Sequence, residues 1–172
     1  MIDRNFKFIL FFSFFYFLIC FYLSLSWYDK GYFSVLDIFF DTDPSSNLGS
    51  FAHGWGRHAI SHAFLELFSI PIRIIEMIYA NFFVVTDRRE FRDLIALSIS
   101  LAFSSLTLVY LYRVLLLLNI KRFDANILTL IFAVSFTNII FAVIPETYAI
   151  SCFFIAYLIY YFLNANHFEC SG

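Results

Sequence analysis

The sequence predicts an all-α fold, a polytopic membrane helix bundle with four transmembrane helices plus an interfacial amphipathic helix in the first external loop. Composition is the first reason. Of 172 residues, 62% are hydrophobic and only 14% are charged, against about 45–50% and about 25% in a soluble domain. Mean hydropathy is +0.81. The second reason is run length. Four apolar runs nearly free of charge can each cross a hydrocarbon core about 30 Å thick at about 1.5 Å per residue. A net charge of −2 leaves no basic footprint for nucleic acid. The 26 Phe residues exceed what packing requires and are read as a compositional bias of the source genome.

Residues 8–28 form the first span. Arg4 and Lys7 precede it, like the start of a secretion signal. No small-x-small cleavage site follows before Trp27 and Tyr28, so the run reads as a retained anchor. Residues 29–63 are an external loop of catalytic type, and residues 64–86 are the interfacial helix. The second span covers 92–118; it is apolar from Leu94 to Tyr112 and onward to Ile120 except at Arg113 and Asn119. Lys121, Arg122 and Asp124 make a short turn into the third span at 125–144. The fourth, 146–164, follows after Pro145-Glu146, which closes a tight helical hairpin. The whole of 1–172 reads as a single transmembrane domain, without internal repeat or Gly/Ser linker. Cys20, Cys152 and Cys170 are odd in number and lack a CxxC pair, so neither a disulfide framework nor a zinc site is expected.

The segment 64–86 sets the topology. It is apolar overall but carries Glu66, Arg73 and Glu76, with Pro71 near its middle. At helical spacing His62, Glu66, Ser69, Arg73 and Glu76 share one stripe. Charges at a span centre cost about 2.5–3.5 kcal/mol each, which favours a helix lying in the interface and bent at Pro71. The alternative is a fifth span whose polar stripe faces the bundle. With the N-terminus inside and this helix interfacial, residues 29–93 and Glu146 are external. Arg4, Lys7, Arg113, Lys121 and Arg122 are then inside, and Lys30, Arg57, Arg73, Arg88, Arg89 and Arg92 outside. That balance does not decide orientation.

The external loop holds the densest chemistry. Asp41 and Asp43 flank Thr42 ahead of Pro44, which biases Asp43 toward extended backbone. Alternate residues of an extended segment point the same way. The two carboxylates therefore suit a general base for an acceptor hydroxyl, or a divalent cation held through oxygens; an Asp-Pro turn needs neither. In His53-Gly54-Trp55-Gly56-Arg57-His58 the glycines let the main chain approach a ligand. Arg57 offers a fork for phosphate oxygens, and His53 and His58 are further donors. Trp55 suits sugar stacking or headgroup anchoring. His58 and His62 are four apart without an accompanying HExxH motif, so no metal site is assigned to them. Glu146, after Pro145, either caps the next helix or reaches the same site. Ser98, Ser104, Ser105, Ser135, Thr137 and Asn138, inside the second and third spans, read as interhelical packing and hydrogen-bonding residues.

The order of these features resembles that of a known family. A first span, an external loop with an acidic pair, Gly56-Arg57-His58-Ala59-Ile60, and a later Pro145-Glu146-Thr147-Tyr148-Ala149 are similar to the N-terminal part of GT-C class membrane glycosyltransferases, in particular the protein mannosyltransferase group. The match spans roughly residues 8–162, through short motifs. The proline of the His-Pro-Leu-like motif of that class is missing at His58-Ala59-Ile60. The resemblance implies a polyprenyl-phosphate-linked sugar as donor, membrane lipids as surroundings, and Asp43, or else Asp41, as catalytic base. It places Arg57, His58 and His53 near the donor phosphate and Glu146 in the same cavity. It implies a bacterial inner membrane as the location and a longer parent protein of which this chain is a fragment; no cofactor is assigned, and a divalent cation at the Asp41/Asp43 pair is left open. The expected reaction is an inverting transfer in which the carboxylate takes the acceptor's proton while the lipid phosphate departs, with oxocarbenium-like charge on the sugar. The competing expectation is a non-catalytic membrane subunit or transporter fragment, or an inactive truncated remnant.

Overall fold

The computed structural model describes residues 4–30, 32, 63–83, 88–144 and 147–169. Six α-helices lie among them, with no strand: α1 Arg4–Asp29, α2 Ala63–Phe82, α3 Arg88–Leu117, α4 Arg122–Val134, α5 Phe136–Val143 and α6 Thr147–Glu169. The described residues are all-α. Among them three helical stretches are long and apolar enough to cross a membrane, Asn5–Asp29, Glu90–Leu117 and Tyr148–Ala165; α4 and α5 together make a fourth if the bent pair is one span.

Burial runs opposite to that of a water-soluble bundle. The buried residues of α1 are Ile9, Ser13, Tyr16, Cys20 and Ser24, whereas Phe8, Phe11, Phe14, Phe15, Leu18, Ile19 and Tyr22 are exposed. Spacings of three and four residues put the small and polar side chains on one face. Large apolar groups cover the other. That is the arrangement expected in lipid, where helices associate through close approach and interhelical hydrogen bonds rather than by hiding apolar surface. In α3, Ala96, Ser100, Ser104, Ser105 and Thr107 are buried together with Leu97, Leu101, Leu108 and Tyr112. The hydroxyls of Ser98, Ser105 and Thr107 each donate to the carbonyl one turn back, at 2.8–2.9 Å. They are thereby satisfied without water.

Contacts cluster into two units. The first contains residues 1–20, 101–142 and 148–172. Its core is Ile9, Val109, Tyr112 and Ala125, with Phe6, Leu115, Leu116 and Ile120 packed around it. The α3–α4 connection is closed by Asn119 at φ 61°. The Asn119 N–H donates to the Leu116 carbonyl at 3.0 Å and the Ile120 N–H to that of Leu115 at 3.1 Å. These are the two bonds of a Schellman turn, with Asn in the left-handed position that glycine usually takes. Against α3, α6 packs by rings. Phe103 meets Phe153 and Phe154, and Tyr110 meets Phe153, Tyr157 and Tyr160, with centroids 5.1–6.0 Å apart.

The second unit contains residues 21–100 and 143–147. Here α2 turns Ser69, Ile72 and Glu76 inward and leaves Ile70, Ile74, Ile75, Met77, Ile78, Tyr79 and Phe82 exposed. Of the polar stripe expected from the sequence, Ser69 and Glu76 face protein, Arg73 is exposed beside the outward apolar residues, and His62 and the Glu66 side chain lie outside what is described. The reason is local. The Glu76 carboxylate accepts from Arg92 Nε at 2.6 Å and lies 3.7 Å from Arg88 Nε. Tyr79 stacks on Phe83 and Phe91 at 4.6 and 4.7 Å. In the same unit the Tyr28 hydroxyl donates to Asp93 at 2.8 Å, and Ser24 donates to the Val143 carbonyl at 2.9 Å. Pro71 sits within α2 without ending it.

Candidate functional site

All six residues proposed from sequence for chemistry, Asp41, Asp43, His53, Arg57, His58 and Glu146, lie outside the described residues. Among the described residues no group of three metal-ligating side chains comes together. The described site with chemical content is elsewhere, at a break in the third apolar run.

The run 125–144 is read from sequence as one straight span. In the structure α4 and α5 meet at Ser135 with a bend of 58°. Neither Pro nor Gly stands there. Ser135 itself is extended, at φ −61° and ψ 137°. Its hydroxyl donates to the Phe132 carbonyl at 2.8 Å and accepts the Asn138 N–H at 3.3 Å. One side chain therefore ends α4 and caps α5, since a serine hydroxyl accepting the N–H three residues on is the N-cap bond. The Ser135 N–H donates to Phe132 and the Ser135 carbonyl accepts from Ile139. Asn138 completes the join. Its Nδ2 donates to the Tyr16 hydroxyl at 2.7 Å and reaches the Ala133 carbonyl at 3.4 Å. Non-helical backbone at membrane depth requires such partners, because lipid offers none.

The bend opens a cavity of about 190 Å³ lined by Ser104 and Thr107 of α3, Phe132, Ser135, Thr137, Asn138 and Phe141 around the break, and Tyr148, Ala149 and Cys152 of α6. Tyr148 stacks obliquely on Phe141 at 4.5 Å and forms part of one wall. The lining is uncharged: hydroxyls, one carboxamide, one thiol and aromatic rings. Such a pocket can hydrogen-bond a neutral polar group and shelter an apolar one; its lining carries no carboxylate, imidazole or amine. By volume it exceeds the room that one water needs, about 10–15 Å³, and falls short of the about 300 Å³ typical of a whole-ligand pocket. It accommodates a fragment of a ligand.

Ser104, Ser135, Thr137 and Asn138 were expected as packing residues. Asn138 does make an interhelical bond, and Ser135 in addition breaks the helix. The available signal was the Ser-x-x-Asn spacing inside an otherwise apolar run, an N-cap pattern lacking the usual Glu or Gln.

The fold and the cavity define an α-helical membrane protein whose third apolar run is broken at an uncharged polar pocket. The chain matches no family model, no curated protein and no solved structure.

Proposed function

We propose that the chain is part of a membrane glycosyltransferase-like protein of GT-C type. It transfers a sugar from a polyprenyl-phosphate donor to a hydroxyl acceptor at the external membrane face, with Asp43 as general base and Asp41 as its neighbour. Arg57, His58 and His53 serve the donor phosphate, and Glu146 lines the same site. In this reading the chain crosses a bacterial inner membrane four times, with α2 along the boundary and its apolar flank in lipid. The observation that carries the proposal is the order of motifs: the Asp41/Asp43 pair, Gly56-Arg57-His58-Ala59-Ile60, then Pro145-Glu146-Thr147-Tyr148-Ala149. The described part of that last motif contributes Tyr148 and Ala149 to the lining of the cavity. An uncharged, ring-walled pocket beside the motif suits the neutral part of a lipid-linked donor, either the sugar or the first isoprene units.

The test is transfer in liposomes loaded with polyprenyl-phosphate sugars, comparing the chain with Asp43→Asn. Loss of transfer with unchanged membrane insertion supports the general base. Undiminished transfer removes it. A second reading, a non-catalytic membrane subunit, draws on the broken run itself, because discontinuous helices with polar joints also build the solute sites of transporters. No transfer by either form, together with saturable uptake of a neutral solute, favours that reading.

A further inference from the structure

Arg88, Arg92 and Arg113 are held in different ways. In the second unit, Arg92 and Arg88 share the carboxylate of Glu76, and Asp93 accepts from Tyr28. In the first, Arg113 sits one turn before the end of α3 with its guanidinium against three rings: Phe6 of α1 at 4.8 Å, Tyr160 of α6 at 5.5 Å and Tyr110 of its own helix at 5.8 Å. Those are its only contacts of that kind, and it has no ion pair or hydrogen bond among the described residues.

A guanidinium carries five N–H donors in a rigid plane, and it cannot lose its charge. Rings engage it through the π face and leave donors at the edge unspent. At the end of a membrane helix those donors require an acceptor other than hydrocarbon, and snorkelling toward the headgroups is the ordinary route. The surroundings favour an anion. Phe6, Leu115, Leu116 and Ile120 pack on one core, which brings the start of α1 and the α3–α4 turn to the same end of the unit. Lys7, Lys121 and Arg122 are exposed there, with Asp124 as the one described carboxylate nearby in sequence.

We propose that this end of the first unit binds the phosphate of an anionic membrane lipid. Arg113 is the oriented fork, held by Phe6, Tyr110 and Tyr160, and the exposed Lys7 and Lys121 supply the field that draws the headgroup in. Planar bidentate recognition of phosphate oxygens is what a fixed guanidinium does and a lysine cannot. Juxtamembrane basic clusters concentrate anionic lipid in the same way. The inference is independent of the glycosyltransferase reading, since none of these residues belongs to that site.

The test uses the full chain in nanodiscs of phosphatidylcholine doped with increasing phosphatidylglycerol, following the thermal midpoint. Phosphatidylglycerol should raise the midpoint, and Arg113→Gln should need about tenfold more of it for half the effect, the size expected for one charge-assisted hydrogen bond. Arg113→Lys should fall between. Lys30→Gln, at a cation whose described contact is the Tyr32 ring at 5.8 Å, should behave as wild type. An equal phosphatidylglycerol response in Arg113→Gln overturns the proposal. So does inorganic phosphate if it stabilises the protein as well in pure phosphatidylcholine. If Arg113→Gln fails to insert, the exposed pair Lys7→Gln/Lys121→Gln decides, and an unweakened response there overturns it too.

Discussion

Asn138 and Tyr16, 122 positions apart in sequence, are joined by a 2.7 Å hydrogen bond from the Asn138 side-chain nitrogen to the Tyr16 hydroxyl. That hydroxyl also lies 3.4 Å from the Asn138 carbonyl. The broken run is thereby fastened to α1 at the first turn of α5.

Removing this bond should cost about 0.6 kcal/mol, the average for interhelical hydrogen bonds in membranes, and at most about 1.7 kcal/mol. Asn138→Ala and Tyr16→Phe should each destabilise by such an amount, and the double variant by less than their sum. Reversible unfolding in mixed detergent micelles would show it. Full additivity would mean that the two residues do not communicate.

Ser135→Ala removes the cap of α5 and should destabilise the protein by about 1 kcal/mol, with Ser135→Gly costing only a few tenths. The ordering, Ala worse than Gly, separates loss of a cap from a gain in helix propensity, which would favour Ala. The same unfolding assay reads it.

Glu76 and its two arginines offer a contrast. The Glu76 side chain is 5% exposed and that of Arg92 25%, at 2.6 Å. Arg88 is 70% exposed at 3.7 Å. Glu76→Ala leaves Arg92 without its acceptor and should cost about 3 kcal/mol, whereas Arg88→Ala should stay within about 0.5 kcal/mol. Equal effects in the two variants would contradict the burial difference.

The native cysteines report on the cavity. Cys152 is exposed and lines the pocket, and Cys20 is buried. In a Cys170→Ser background, a small water-soluble thiosulfonate should modify Cys152 and spare Cys20 if the pocket admits water. Mass spectrometry after a timed pulse distinguishes the sites. Modification of neither would mark the pocket as dry.

The helical, membrane-type character was legible because hydropathy is written along the chain, and a charge-free run such as 8–28 has few other destinations. The direction of the α2 stripe was not legible. Periodicity places Ser69 and Glu76 on one face of the helix but does not say whether water or Arg92 will meet that face. The break at Ser135 is hard to read for a related reason: apolar residues on both sides look like one run, and the Ser135-x-x-Asn138 cap within it is a short signal. For the acidic loop, residue types and spacing suggested a chemistry, while the described pocket lies in stretches that had been read as packing.

The hinge at Ser135 also bears on how the chain enters a bilayer. At about 1.5 Å per residue, the 13 residues of α4 and the 8 of α5 span about 20 Å and about 12 Å, each short of a hydrocarbon thickness of about 30 Å. Neither piece is long enough to cross alone. If the pair is one span, it crosses with a 58° elbow whose Asn138 is held by Tyr16 of α1; if it is not, the same elbow turns the run back as a re-entrant loop.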